Sequence, residues 1–265
     1  MKFFLRGFMA LGLAFIYIPL AIVLVNSFNA DRTFAWPPPH WTTQWWSRAW
    51  GSTGARSALW TSVEAGLCAT AVALVLGTMI AFAVQRYRFF GRHAVSLIVV
   101  LPIALPGIVT GIALDTAFRT VIEPLGIGKG LLSVVIGHAT FCVVVVYNNV
   151  LARLRRTGAS LEEASADLGA TSFQTFRYVT FPLIRSALFA GGLLAFALSF
   201  DEIIVTTFTA GAGTQTLPLW IFSNLFRPNQ APVINVVAAV LVILSIVPIY
   251  FAQRVSADTA AGGRL

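Results

Sequence analysis

Six apolar runs, each close to the roughly 20 residues that carry a helix across a hydrocarbon core, follow one another along this chain. They extend from about Phe8 to Phe28, Ser57 to Val84, Ala94 to Phe118, Leu131 to Leu151, Ser186 to Phe208 and Val233 to Phe251. Inside lipid a backbone must satisfy its own N–H and C=O groups, and runs of this length do so as helices. Composition excludes the alternative: with 57% of residues hydrophobic, 11% charged and a mean hydropathy of +0.81, a water-soluble fold would leave large apolar patches on its surface. The expectation is an all-α membrane protein, with six transmembrane helices in a single domain over residues 1–265. Lys2 and Arg6 precede the first run as they would in a secretory signal. Its apolar stretch is too long for one, however, and no small-residue cleavage site follows, so it reads as an uncleaved span.

Orientation follows from the basic residues, because loops retained in the cytoplasm carry the excess of Lys and Arg. With the N-terminus inside, the cytoplasmic set is Lys2, Arg6, Arg86, Arg88, Arg92, Arg153, Arg155, Arg156, Arg177, Arg185, Arg254 and Arg264, twelve of the eighteen. Arg32, Arg48, Arg56, Arg119, Lys129 and Arg227 fall outside. Both termini are then cytoplasmic, and the net charge of +8 reflects topology rather than a nucleic-acid partner. Cys68 and Cys142 lie inside apolar spans, where a thiol packs as a small hydrophobe, so neither a disulfide framework nor a metal site is implied. The Gly-rich end from Ala260 to Leu265 reads as a frayed tail.

One stretch departs from this pattern. Residues 160–184, "SLEEASADLGATSFQTFRYVTFPLI", lie in the cytoplasmic loop 152–185 between the fourth and fifth runs. Ser160 with Glu163 fits a capping box, and Thr171 with Gln174 fits a second. Gly169 stands where the first short helix ends, and Pro182 either stops the second or opens span five. Leu161, Ala164 and Leu168 fall on one side of the first helix, and Phe173, Phe176 and Val179 on one side of the second. From pattern alone these faces rest on the membrane surface or on the protein's own spans.

The same residues carry a resemblance. Glu163, Ala164, Ser165, then Gly169, then Val179, Phe181 and Pro182 resemble the cytoplasmic signature loop of binding-protein-dependent ABC importer permeases: Glu-Ala-Ala, a Gly four residues on, and a distal Ile-x-Leu-Pro. Ser165, Val179 and Phe181 are conservative departures at matched spacing. The resemblance implies a type I importer permease architecture and a loop that docks in a cleft of an ATPase subunit, with Glu163 facing a basic group there. It also implies the partners: a second permease subunit, an ATPase dimer that handles ATP and Mg while this chain binds no cofactor, and an extracytoplasmic solute-binding protein. The implied setting is the bacterial inner membrane. Three further stretches, "GHATFCVVVVYNNVLARLR", "LLAFALSFDEIIVTTFTAGAGTQTLPLWIFS" and "INVVAAVLVIL", are similar to the permeases of spermidine and putrescine importers. Glu202 stands where that group often has a second Asp, and "NQAPVIN" lacks an acid expected before Asn235. Related permeases carry other small amines, amino acids, phosphonates or ferric ion.

Independently of resemblance, four acids fall inside or at the edges of spans: Glu64, Asp115, Asp201 and Glu202. No Lys or Arg lies well inside one. Ionisable groups at membrane depth are costly and tend to face a cavity, so these acids favour a positively charged solute. Arg119, one turn after Asp115, offers it a local ion pair, and Glu64 is near enough to the outer interface to reach it. Adjacent residues on a helix diverge by about 100°, so Asp201 and Glu202 cannot share a target. Asp201 is expected on the path, with Glu202 bonded to a neighbouring helix or to the second permease.

Trp36, Trp41, Trp45, Trp46 and Trp50 read as an aromatic belt at the headgroups, with a binding-protein contact as the alternative. His138 reads as a packed or interfacial side chain, and Pro102 and Pro106 in "LPIALPGIVTG" as a kink in span three. Other classes lack their chemistry. "GIGKG" at 126–130 has neither the spacing nor the Ser or Thr of a phosphate-binding loop. No inverted repeat supports an ion-coupled secondary transporter. His40, His93 and His138 form no nucleophile, base and acid arrangement and no metal motif, so no catalytic site is expected.

Overall fold

The computed structural model describes residues 2–32, 35–227 and 229–245. These residues are helical, with no strand among them beyond a single bridge between Asn29 and Trp41. In chain order the helices are α1 (Lys2–Asn26), α2 (Gln44–Gly51), α3 (Thr53–Arg86), α4 (Arg92–Ala104), α5 (Gly107–Ala117), α6 (Leu131–Thr157), α7 (Ser160–Asp167), α8 (Ser172–Thr175), α9 (Phe181–Phe200), α10 (Ile204–Thr209), α11 (Leu217–Asn224) and α12 (Ala231–Ser245). The chain divides into two compact units, residues 57–219 and residues 1–56 with 220–265.

Among the described residues, four stretches are long and apolar enough to cross a membrane: Phe3–Asn26, Thr53–Arg86, Leu131–Thr157 and Ser172–Phe200. The third apolar run is not one straight span. Arg92–Ala104 and Gly107–Leu125 meet at 105°, and the two count as a fifth span when taken together. Of its two prolines, Pro102 stays inside α4, whereas Pro106 makes the break. Leu105, forced out of the helical region by the proline after it, is extended at φ −80°, ψ 146°, and Pro106 opens α5, where an amide N–H has no intrahelical partner to lose. The sixth run appears as α12, and its residues 246–251 lie outside the described residues, as do Arg254, Arg264 and the Gly-rich tail.

In the unit of residues 57–219 the core forms along α6. Phe141, Cys142, Val146, Tyr147, Val150, Leu151 and Leu154 of α6 pack with Ala73, Ala81 and Val84 of α3 and with Ile184 and Ala195 of α9. Close approach substitutes for the hydrophobic effect when the solvent is lipid, so small residues sit at the helix crossings. At Gly77 a Cβ would lie 2.9 Å from the Val143 carbonyl oxygen and 3.0 Å from the Tyr147 nitrogen. Gly77→Val is therefore expected to push α3 off α6 and cost about 1–3 kcal/mol. The check is a lowered aggregation temperature of the detergent-solubilised protein.

In the other unit the Trp-rich segment folds on itself. Trp45 is buried, and its indole N–H donates to the Asn29 carbonyl at 2.8 Å, with the Arg48 and Arg32 guanidinium groups 4.8 and 5.8 Å from the ring. Trp46 stacks on Phe28 at 5.2 Å. Only Trp36, Trp41 and Trp50 are exposed as a belt requires. For Trp45 and Trp46 the belt expectation is corrected, because a loop with few apolar residues builds its own core from its largest ones.

Candidate functional site

Two regions bring the candidate residues forward: the loop of residues 152–185, and a break in the fifth apolar run.

The loop forms a helix, a turn and a helix, with differences at both ends. α7 begins after Ala159, which has no side-chain cap to offer, so the box predicted between Ser160 and Glu163 is not made. Glu163 and Ala164 are exposed and Ser165 is half-buried, its hydroxyl 3.0 Å from that of Thr175 in α8. Glu162, which sequence reasoning passed over, turns inward instead. Its carboxylate pairs with Arg86 at the end of α3, with Arg86 Nε 2.9 Å from Oε2 and Nη2 donating to Oε1 at 3.0 Å. The Thr180 hydroxyl donates to the same Oε1 at 3.0 Å, and Arg86 Nη2 also donates to the Gly158 carbonyl at 2.8 Å. One acid thus ties α7 to the end of α3 and to the start of α9.

Gly169 closes α7. Its φ is +80°, its N–H donates to the Ala166 carbonyl at 2.9 Å, and the Ala170 N–H reaches back to the Ser165 carbonyl at 3.1 Å. This is a Schellman ending, which needs a left-handed residue at that point. The capping box at Thr171 forms as expected: the Gln174 N–H donates to Thr171 Oγ1, and the Thr171 N–H to Gln174 Oε1 at 2.8 Å. The second helix does not stop at Pro182. α8 passes through a π-turn, Phe176–Thr180, directly into α9, and Pro182 sits in the first turn of that helix. The apolar faces separate accordingly. Phe176 packs edge-on against Phe82 at 6.0 Å and Val179 is half-buried, but Leu161, Leu168 (89% exposed) and Phe173 (72%) stay exposed among the described residues.

The fifth apolar run, expected as one helix, ends at Phe200 and restarts at Ile204. The Glu202 carboxylate explains the restart: Oε1 accepts the Val205 N–H at 2.8 Å, capping α10 at the end where negative charge is favoured. Glu202 is therefore engaged within its own segment, through the first turn of the helix that follows it. Asp201 terminates α9, and its exposed carboxylate makes no hydrogen bond or ion pair among the described residues. Glu64, half-buried on α3, is likewise unpaired. Asp115 is not free: it pairs with Arg119 at 2.9 Å, as its spacing implies, and also with Lys129. No hydrogen bond or ion pair joins any two of these four acids among the described residues.

Sequence reasoning undervalued His138. It is fully buried on α6, with Nδ1 2.7 Å from Ser199 Oγ in α9 and Nε2 2.8 Å from Thr206 Oγ1 in α10. The signal was present, since a His inside an apolar span needs polar partners and Ser199 and Thr206 bracket the acidic pair. The described residues contain no group of His, Cys, Asp and Glu able to hold a metal.

Residues 73–259 match the family model described as "Binding-protein-dependent transport system inner membrane component". The putrescine transport system permease protein PotI of Escherichia coli (strain K12) is 33% identical over 235 residues, which cover 87% of this chain and 83% of that protein. The spermidine/putrescine transport system permease protein PotC of Haemophilus influenzae is 34% identical over 257 residues, covering 96% and 97%. In fold, the chain is similar to a crystal structure of a bacterial ABC transporter involved in the import of the acidic polysaccharide alginate, with a TM-score of 0.65, 17% identity, and coverage of 97% of this chain and 96% of that one.

Proposed function

We propose, because this chain belongs to the family of binding-protein-dependent transport system inner membrane components, that it is the permease subunit of an ATP-driven importer of putrescine, spermidine or a closely similar cationic amine. The observation that carries the reading is the open carboxylate of Asp201 at a helix break inside an apolar segment. A charge at that depth is retained where it faces a cavity or a ligand. With Asp115 committed to two cations and Glu202 to a helix cap, the acids left to meet an ammonium group are Asp201 and Glu64. The named relatives that transport putrescine and spermidine support the same class of solute.

Mechanistically the chain is half of an alternating-access device, completed by a second permease subunit. A dimer of ATPase subunits binds and hydrolyses Mg-ATP and grips the loop around Glu163, Ala164, Ser165 and Gly169, with Leu161, Leu168 and Phe173 as the apolar surface it covers. Val179, Phe181 and Pro182 stand where the loop becomes α9, so a displacement of the loop is passed directly to the helix that ends at Asp201. Solute delivered by an extracytoplasmic binding protein loses water on entering the path, and the carboxylate replaces part of that hydration.

The test is ATP-dependent uptake of labelled putrescine and spermidine by the assembled importer, comparing wild type with Asp201→Asn. Removing one charge-assisted contact is expected to raise KM about 10- to 100-fold at equal membrane abundance. Absence of uptake of either amine by the wild-type complex, with the ATPase still co-purifying, would overturn the amine reading and leave the permease reading in place.

A further inference from the structure

The break between α9 and α10 lies opposite one buried side chain. Along α6, Cys142 Sγ donates to the Ala195 carbonyl at 3.3 Å, His138 meets Ser199 and Thr206, and Ser133 Oγ donates to the Thr209 carbonyl at 2.7 Å. Contacts on α6 thus run from 142 to 133 as their partners run from 195 to 209. His138 is the one residue of the series that bonds both sides of the gap. The unpartnered Asp201 lies inside that gap, between two residues bonded to the same imidazole.

The hydrogen positions follow from counting protons. The Thr206 hydroxyl has one, and it is donated to the Glu202 carbonyl at 2.9 Å. Thr206 therefore accepts from His138, which places a proton on Nε2, and in the neutral imidazole Nδ1 then accepts from Ser199. The chain of donation is Ser199 to His138 to Thr206 to the Glu202 backbone, and it ends on the residue next to Asp201.

We infer that His138 is a positioning residue for the solute path: its imidazole, bridging Ser199 and Thr206, fixes the Asp201–Glu202 turn so that the Asp201 carboxylate is presented to the passing cation without a bond to any described group of its own chain. This rests on the assignment of Asp201 to the path. His138 holds the backbone on either side of the carboxylate, leaving its lone pairs to the solute. A direct hydrogen bond to Asp201 would have competed with the ammonium group.

The experiment measures putrescine uptake by the assembled importer carrying His138→Phe, His138→Gln, Asp201→Asn, and His138→Phe together with Asp201→Asn. His138→Phe keeps a planar aromatic ring, somewhat larger than imidazole, but removes both bonds. It is expected to raise KM about tenfold with Vmax within about twofold. His138→Gln, which retains a donor and an acceptor, should return KM to within about threefold of wild type. In the Asp201→Asn background His138→Phe should add less than about twofold, because the two residues act through one another. An unchanged KM in His138→Phe, no recovery with Gln, or a full additional increase in the double variant would each overturn the inference. Should His138→Phe fail to reach the membrane, Ser199→Ala and Thr206→Val carry the same cycle with smaller perturbations. Normal uptake by Asp201→Asn alone would instead overturn the path assignment on which the inference rests.

Discussion

Gly169→Pro is expected to abolish ATP-driven uptake while the protein still inserts in the membrane. At φ +80° the residue lies in the left-handed region, which the proline ring cannot enter because it holds φ near −65°. Proline also removes the N–H that donates to the Ala166 carbonyl at 2.9 Å, so the Schellman ending is lost together with the turn. α7 would then run on or fray, and the turn that brings Ser165 of α7 to Thr175 of α8 would be lost. Gly169→Ala tests the same point more gently: the left-handed conformation costs roughly 1–2 kcal/mol without a glycine, so uptake should fall by about tenfold rather than vanish. Uptake and ATP hydrolysis measured on the same proteoliposomes check this. Wild-type uptake by the proline variant would sink the assignment of this loop to coupling.

The architecture was legible wherever a long apolar run met no competing interaction. α1, α3 and α6 follow their runs, and the loop's turn at Gly169 and cap at Thr171 follow from two short motifs. Hydropathy could not see the breaks, because a window of apolar residues reads the same whether the backbone is continuous or interrupted. Pro106 did announce the first break, although Pro102, a turn earlier, announced one that does not occur. The second break carries no proline. It forms because Glu202 caps the helix that follows and because His138, 61 and 68 residues away in sequence, binds both flanks.

The site was legible to the same degree. The sequence picks out four acids by depth, but what distinguishes them is the set of partners. Lys129 joins Arg119 on Asp115 from 14 residues away, Glu202 turns back on its own backbone, and only folding leaves Asp201 and Glu64 unpaired among the described residues. In the loop, Glu162 and Glu163 were indistinguishable on charge and propensity. The choice between them is made by Arg86, 76 residues before Glu162. The capping-box pattern drew attention to Glu163 and away from the residue that anchors the helix.

That anchor gives the second large effect. Arg86→Glu is expected to lower uptake roughly a hundredfold and to release the ATPase on purification. The pair is mostly shielded, with side chains 15% and 21% exposed, so the reversed charge would set two carboxylates together at a contact that salt screens poorly. Removing one partner of a buried pair costs about 3–5 kcal/mol, and the residual exposure here reduces that to about 2–3. The loss would fall on the attachment of α7, since the same Glu162 oxygen also receives the Thr180 hydroxyl at the start of α9. The double variant Arg86→Glu with Glu162→Arg should recover activity only in part. An arginine at 162 cannot accept from Thr180, and a glutamate at 86 cannot donate to the Gly158 carbonyl. Glu163→Gln separates the two acids. Glu163 is exposed and holds nothing among the described residues, so its variant should leave the thermal stability of the isolated permease unchanged and weaken only ATPase binding, whereas Arg86→Glu lowers both. Equal stability losses in the two variants would show that α7 is held by its whole first turn and not by the Glu162 carboxylate.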